Sequence, residues 1–197
     1  MTDHNCLDFS KVELHQDPYA HFSTTAILKK EMEKKVFRWL DEYEAWRLVV
    51  MDFYTQFEFS LFDIEIPPEI APLLSAETLD TLKTFFRKAF KVLDLELVGL
   101  TAHKLVEGHR IGVHNDFLGP EETHRLIIQL NPGWSEEKGG FLMVFRSPEA
   151  EAVSKIVRPL DNTAFGFGIS ERSWHAVSRV NDFSRYTLVY TLKAVAQ

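Results

Sequence analysis

The spacing of apolar side chains changes near the middle of this 197-residue chain. Residues 25–43 place apolar side chains three and four positions apart, with Lys and Glu between them, which is typical of an amphipathic helix. Residues 46–53 form a short apolar run and predict a strand. After three prolines, Ser75 is a suitable N-cap for a second helix that extends to residue 92.

The second half of the chain alternates apolar and polar side chains, as half-buried strands do. All nine glycines lie at or after Gly99, so we expect turns there and helices in the first 98 residues. Many short strands must bury one face together, which favours a sandwich, barrel or jelly roll. Eight are predicted: residues 95–106, 110–114, 125–131, 141–145, 152–157, 163–167, 173–177 and 184–193.

These elements predict one α+β domain, mainly β, that spans residues 1–197. Residues 95–197 would form the β core. Residues 1–94 would form a helical support region, with its helices packed on one face of that core. The chain has no internal repeat, low-complexity tract or linker that suggests a second domain.

Composition and charge exclude several classes of protein. The chain is 45% hydrophobic and 26% charged, which is typical of a folded protein rather than a disordered one. Its net charge of −7 argues against a nucleic-acid partner. The single cysteine, Cys6, excludes an internal disulfide and a Cys-rich zinc module. No long apolar run or signal segment is evident, so we expect no membrane association and a cytoplasmic location.

Three residues suggest a metal site. His114 and Asp116 are two positions apart, so on a strand both side chains project from the same face. His175 lies further along the β region, and a jelly roll brings such non-adjacent strands side by side. Two imidazoles and one carboxylate leave coordination positions open and suit non-haem Fe(II). The same donor set can hold zinc with a bound water, so a zinc hydrolase is an alternative.

Arg185 and Thr187 share one face of the last predicted strand. An arginine buried inside a β barrel needs an anion, and a carboxylate matches its two-pronged guanidinium. The hydroxyl of Thr187 could donate to the same carboxylate. By itself, Arg185 could also be a surface residue on an edge strand.

With these residues the chain resembles the Fe(II)/2-oxoglutarate-dependent dioxygenases, in particular the prolyl 4-hydroxylase-like branch. The resemblance extends from about residue 95 to residue 192, and it implies a double-stranded β-helix of the jelly-roll or cupin type. The matching segments follow the family's order: EGHRIGVHND (107–116), RLIIQLNPGW (125–134), GGFLMVF (139–145), WHAV (174–177) and SRYTLVY (184–190).

The resemblance also implies roles for single residues. Arg185 would bind the distal carboxylate of 2-oxoglutarate, at a position where prolyl hydroxylases often have lysine. Arg125 would be a second anion contact, with a structural or solvated arginine as the alternative. Some relatives place an aromatic residue before the metal-binding strand, and here His103 or Lys104 stands in that region. Three residues would bind iron: His114, Asp116 and His175.

The resemblance implies an enzyme that uses Fe(II), 2-oxoglutarate and O₂, with ascorbate as a stimulant. It would hydroxylate an unactivated C–H bond of a small molecule or of an amino-acid or peptidyl side chain, and release succinate and CO₂. The carboxylate of Asp116 favours hydroxylation, because halogenating relatives have a small residue at that position. The main alternative is a non-catalytic cupin-type module that binds a metal or senses a ligand. A dependence on O₂ and 2-oxoglutarate would separate these functions.

Overall fold

A computed structural model of the chain describes residues 4–29 and 31–195. The described residues contain two α-helices, α1 (Met32–Glu42) and α2 (Ala76–Phe90), and two short 3₁₀ helices, Ala71–Leu74 and Glu136–Lys138. They also contain twelve strands: β1 (Glu13–His15), β2 (His21–Thr25), β3 (Arg47–Met51), β4 (Tyr54–Ser60), β5 (Leu95–Leu105), β6 (Ile111–His114), β7 (His124–Leu130), β8 (Leu142–Phe145), β9 (Val153–Val157), β10 (Thr163–Gly168), β11 (His175–Val177) and β12 (Arg185–Ala194).

The two predicted helices are present, and the first is shorter than predicted. Thr25 belongs to β2 and Glu31 has a left-handed φ of 57°, so α1 begins only at Met32. Residue 30, inside the predicted helix, lies outside the described residues. The second helix begins as predicted, with the Ser75 hydroxyl accepting a hydrogen bond from the Thr78 N–H at 3.2 Å. Neither α-helix in the described part of the chain is long and apolar enough to cross a bilayer.

The expectation of a helical first half is only partly right. Besides α1 and α2, the first 94 residues contain the four strands β1 to β4. Strands do not require glycine, so a glycine-free segment does not exclude them. Of these four strands the apolar run at residues 46–53 predicted only β3. The strand β2 is stabilised by pairing with β10, which is distant in the sequence. Such a pairing cannot be read from the residues of β2 alone.

All strand pairs are antiparallel, and the twelve strands form one sheet. The order is β1-β2-β10-β7-β12-β5-β4-β6-β11-β8-β9, with β3 paired to β4. Lys155 Nζ in the edge strand β9 lies 3.0 Å from His15 Nε2 in the opposite edge strand β1. The two edges therefore meet, and the sheet is curled around an inner face. The eight strands predicted after residue 94 are all present, with small shifts at their ends.

The strand β12 separates the inner face of the sheet from the outer one. Tyr186, Leu188 and Tyr190 belong to an apolar cluster on the outer face, and Tyr186 donates a hydrogen bond to Asp41 of α1 at 2.9 Å. Arg185 and Thr187 alternate with them and line a cavity on the inner face. The alternation predicted for this strand is confirmed. The outer cluster also contains residues of both helices: Val36, Leu40, Leu82 and Phe86.

Candidate metal centre

Two histidines and one aspartate come together on the inner face. His114 ends β6 and His175 begins β11, and the two residues lie directly opposite each other in the antiparallel pair. His114 Nε2 is 3.2 Å from Asp116 Oδ1, and His175 Nε2 is 3.3 Å from Asp116 Oδ2. One donor atom from each residue lies within 4.8 Å of the other two. The structure therefore brings together the three residues that the sequence predicted as a metal site.

Backbone carbonyl groups orient both imidazoles. His114 Nδ1 lies 2.9 Å from the Gly112 oxygen, and His175 Nδ1 lies 2.8 Å from the Ser173 oxygen. A carbonyl only accepts hydrogen bonds, so each Nδ1 carries the proton and each Nε2 presents its lone pair to Asp116. Three lone-pair donors then face one another, an arrangement that a cation among them relieves. The donor set and its orientation fit a divalent metal ion.

A turn, and not the alternation of a strand, directs Asp116 towards the histidines. The strand β6 ends at His114, and Asp116 has a left-handed φ of 60°. Two hydrogen bonds hold the intervening Asn115. Its side-chain amide donates to the backbone oxygen of Glu171 at 3.2 Å, and its backbone oxygen accepts from the Ser173 hydroxyl at 2.8 Å. The two side chains therefore meet as predicted, at 3.2 Å, but the backbone geometry assumed for Asp116 was wrong.

Arg125 in β7 contacts Asp116. Its Nη1 lies 2.9 Å from Asp116 Oδ2, and its Nη2 donates to Glu122 Oε2 at 2.6 Å. Burial raises the pKa of Asp116, but the Nε2–H groups of His175 and His114, when these imidazoles are protonated, and the charge of Arg125 outweigh that effect and hold this pKa well below its ordinary value. Asp116 is therefore a carboxylate at neutral pH. Within the protein Arg125 contacts Asp116 and Glu122, and its predicted contact with an anion of the substrate or cosubstrate stays a prediction.

We expect Arg125→Ala to weaken metal binding by about 10- to 100-fold, because it frees the carboxylate of Asp116 from its orienting partner. Titration of the protein with Mn(II), followed by calorimetry, measures the affinity. Arg158→Ala is a matched control, since Arg158 pairs with Glu136 at the surface, away from the cavity. An unchanged Mn(II) affinity in Arg125→Ala would show that Arg125 does not position Asp116.

All six candidate residues line a single cavity of about 260 Å³ on the inner face of the sheet. Three larger surface grooves, of about 1030, 870 and 670 Å³, contain none of these six residues. We assign the site to the smaller cavity, because only there do metal-binding donors and buried charges coincide. The six residues are His114, Asp116, Arg125, His175, Arg185 and Thr187.

Arg185 is a buried cation without a counter-ion. Its side chain is 4% exposed and forms no ion pair or side-chain hydrogen bond with the rest of the described chain. Burial lowers its pKa to about 10, so the guanidinium is still charged at neutral pH. Gly140, with a φ of 68°, leaves room for it, since a Cβ there would lie 2.9 Å from Arg185 Cδ. A buried guanidinium is costly unless an anion pairs with it, so this part of the cavity fits a carboxylate.

His103 and Lys104 lie on opposite faces of β5. His103 lines the cavity, and burial lowers its pKa to about 4, so its imidazole is neutral at neutral pH. Lys104 Nζ lies 5.3 Å from the centre of the Tyr186 ring, on the outer face. Of the two residues proposed for this region, only His103 can contact a ligand in the cavity.

Gln129 is a residue that the sequence analysis missed. It lies in β7 opposite Thr187, is buried, and its Nε2 has no hydrogen-bond partner among the described residues. By strand alternation it shares a face with Arg125 and Ile127, which line the cavity. The signal was the single polar side chain in the apolar run LIIQL. The strand β4 was not predicted either. Three of its residues line the cavity: Tyr54, Gln56 and Glu58.

Comparison with known proteins supports this assignment. Residues 100–192 match the model of the 2OG-Fe(II) oxygenase superfamily. The matched segment includes the three metal-site residues together with Arg125, Arg185 and Thr187. No curated protein sequence matches the chain.

Several solved structures have a similar fold. A prolyl-4-hydroxylase from Pseudomonas putida is 16% identical with a TM-score of 0.64, over 89% of this chain and 92% of that one. The viral collagen prolyl hydroxylase of Paramecium bursaria Chlorella virus-1, in its 2OG complex, is 12% identical with a TM-score of 0.66, over 91% and 98%. A prolyl hydroxylase from Trichoplax adhaerens, in complex with a hypoxia inducible factor peptide, is 14% identical with a TM-score of 0.71, over 88% and 83%.

At these identities the structures establish the fold, which is the jelly roll of 2OG oxygenases built from a curled antiparallel sheet. The family match covers the strands that carry the histidines and the buried arginine, and the turn that carries the aspartate. Both findings agree with the donor set in the cavity. Residues 100–192 therefore match the 2OG-Fe(II) oxygenase superfamily, and together with the fold they indicate a dioxygenase; that family implies Fe(II), 2-oxoglutarate and O₂, with His114, Asp116 and His175 as the candidate iron site.

Proposed function

We propose that the protein hydroxylates an unactivated C–H bond in a small molecule or in an amino-acid or peptidyl side chain, with release of succinate and CO₂. One observation carries the proposal: a His–Asp–His cluster and an unpaired buried arginine line the same 260 Å³ cavity. The fold similarity to a prolyl hydroxylase in complex with a peptide is consistent with a peptidyl side chain as the substrate.

In this proposal His114, Asp116 and His175 bind Fe(II). Bound Fe(II) and 2-oxoglutarate supply the oxidising chemistry that transfers one atom of O₂ into a C–H bond. The two Nε2 atoms and a carboxylate oxygen of Asp116 would bind the metal, because carbonyl groups hold each Nδ1 and Asp116 Oδ2 accepts no hydrogen bond from the described residues although Arg125 Nη1 lies 2.9 Å away. Arg125 acts on the iron site through Asp116 and is a positioning residue.

Three side chains would bind 2-oxoglutarate. The guanidinium of Arg185 would hold the distal carboxylate through two parallel hydrogen bonds. The Thr187 hydroxyl and Gln129 Nε2 would donate to the same group, since they lie opposite each other on neighbouring strands. Support for this assignment comes from the absence of any partner for Arg185 Nε and Gln129 Nε2 within residues 4–29 and 31–195. A carboxylate would satisfy both buried donors at once.

We also propose that the chain forms one oxygenase domain. The strands β2 and β4 come from the first 94 residues, yet they pair with β10 and β5 of the β core. The first part of the chain would therefore support the core and also line the cavity. The outer apolar cluster, which joins α1 and α2 to β12, is consistent with helices that pack on one face of the sheet.

The experiment that tests this function measures succinate. Protein purified without oxygen receives Fe(II), 2-oxoglutarate, ascorbate and then air. We expect slow succinate release that requires both Fe(II) and 2-oxoglutarate, even without substrate. In parallel, calorimetry measures 2-oxoglutarate binding to the Mn(II)-loaded protein, where we expect saturable binding. If neither succinate nor 2-oxoglutarate binding is detected, the protein is a metal-binding module without this activity.

A further inference from the structure

The strand β4 places the amide side chain of Gln56 and the carboxylate of Glu58 on the inner face of the sheet. Both line the cavity that contains His114 and Arg125. Gln56 is 5% exposed, and its Nε2 donates to Glu58 Oε2 at 2.8 Å. A carboxylate only accepts hydrogen bonds, so this contact fixes which end of the amide faces Glu58. The amide oxygen, Gln56 Oε1, is left free.

Gln56 Oε1 is a buried acceptor without a donor. No residue in the described part of the chain donates a hydrogen bond to it. Burial of an amide oxygen without a partner is unfavourable, and buried amide oxygens are therefore almost always paired. A free one in the wall of an active-site cavity marks a place where a ligand brings an N–H or O–H group.

The charge next to this acceptor is negative. Glu58 Oε1 accepts a hydrogen bond from Arg47 at 3.1 Å, but the Arg47 side chain is 76% exposed and that of Glu58 only 17%. Solvent screens an ion pair with so exposed a partner, so Arg47 neutralises the negative charge of Glu58 only weakly. That charge therefore still acts on the cavity. Each carboxylate oxygen of Glu58 has room for a further hydrogen bond.

The other charged side chains in the cavity are already engaged. Arg125 pairs with Asp116 and with Glu122. Arg185 is assigned to 2-oxoglutarate in the proposed function, and His103 is neutral at neutral pH. Among the charged residues lining the cavity, only Arg185 and Glu58 lack a buried partner of opposite charge in the described chain, and Arg185 is assigned to 2-oxoglutarate.

We propose that Gln56 and Glu58 bind a cationic nitrogen of the substrate, either a primary ammonium or a guanidinium group. The inference rests on the proposed function and names its substrate class: a free basic amino acid or amine, or a basic side chain of a peptide. Such a group brings several N–H donors and a positive charge, so it satisfies Gln56 Oε1 and Glu58 together. A neutral N–H group would satisfy only the amide oxygen.

Equilibrium binding of matched probes tests this inference. The protein is loaded with Mn(II) and 2-oxoglutarate under anaerobic conditions, and calorimetry measures the binding of each probe. L-lysine is compared with L-norleucine, and L-arginine with L-citrulline, so that each pair differs in the cationic group. Short capped peptides containing Lys or Arg separate a peptide source of the cation from a free one. We expect at least one cationic probe to bind ten times more tightly than its neutral counterpart.

Two variants and one control link this preference to the residues. Glu58→Gln removes the charge and keeps the shape, and Gln56→Leu removes the acceptor. We expect each to reduce the preference for the cation by tenfold or more. Thr55→Val is the control, because Thr55 lies between Tyr54 and Gln56 but lines a different groove, on the other face of β4. This variant should keep the preference.

Three results would overturn the inference: equal binding of cationic and neutral probes, a preference that persists in both variants, or no binding of any cationic probe. The binding of 2-oxoglutarate is measured first in every protein. A wild-type protein that fails to bind 2-oxoglutarate contradicts the proposed function. A protein that binds 2-oxoglutarate but shows no cation preference contradicts only the substrate class.

Discussion

His175→Ala is expected to abolish 2-oxoglutarate turnover and to lower metal affinity by more than about a hundredfold. Changes in the partners of metal ligands already cost about 10- to 100-fold in affinity, and this substitution removes a ligand itself. His175 is buried, its Nδ1 is held by the Ser173 carbonyl, and its Nε2 lies 3.3 Å from Asp116. No other histidine of the described chain joins this cluster, so none is in place to replace it.

Mn(II) titration and succinate release, measured on the same preparation, check this prediction. His15→Ala is the control, because His15 lies in the edge strand β1 and does not line the cavity. It should keep both metal binding and turnover. A His175→Ala protein that binds one metal ion with unchanged affinity would remove His175 from the proposed metal site.

Arg185→Met is expected to have two effects of opposite sign. In the ligand-free protein the guanidinium is buried without an anion, so an apolar side chain of similar length should stabilise the fold by about 1–4 kcal/mol. The same substitution leaves the distal carboxylate of 2-oxoglutarate buried and unpaired, which costs about 2–5 kcal/mol. The dissociation constant for 2-oxoglutarate should then rise by roughly 30- to 4,000-fold.

Thermal unfolding of the ligand-free protein measures the first effect, and calorimetry with the Mn(II)-loaded protein measures the second. Arg185→Lys keeps the charge but loses the two-pronged geometry, so its affinity for 2-oxoglutarate should lie between those of the wild type and Arg185→Met. A loss of stability in Arg185→Met would mean that Arg185 has a structural role. Unchanged 2-oxoglutarate affinity would mean that the carboxylate binds elsewhere.

Local sequence was sufficient wherever a residue's position depends on its own strand or helix. The alternation in β12 correctly placed Arg185 and Thr187 on one face and Tyr186 on the other, because successive side chains of a strand point to opposite sides. The N-cap at Ser75 was likewise predictable, since capping involves only the first turn of the helix.

Local sequence was insufficient wherever a strand depends on a distant partner. The strand β2 (His21–Thr25) pairs with β10 and has no clear alternating pattern of its own. The strand β4 pairs with β5, and its short alternating segment QFEFS (56–60) was overlooked. Missing β4 meant missing Gln56 and Glu58, because nothing then placed these polar residues inside the cavity. The pair His114 and Asp116 was found although a turn, and not a strand, sets the position of the aspartate.

The sequence by itself determined the chemical groups of this protein: two histidines, one aspartate and one arginine, in the β region of a mainly β chain. Only the tertiary structure decided their partners. Arg125 contacts Asp116, and Arg185 has no counter-ion in the described chain, because the curled sheet sets which side chains meet across its inner face. Residues adjacent in the sequence determine alternation and capping. Closure of the sheet brings together residues from distant strands, and no local pattern encodes which of them will pair.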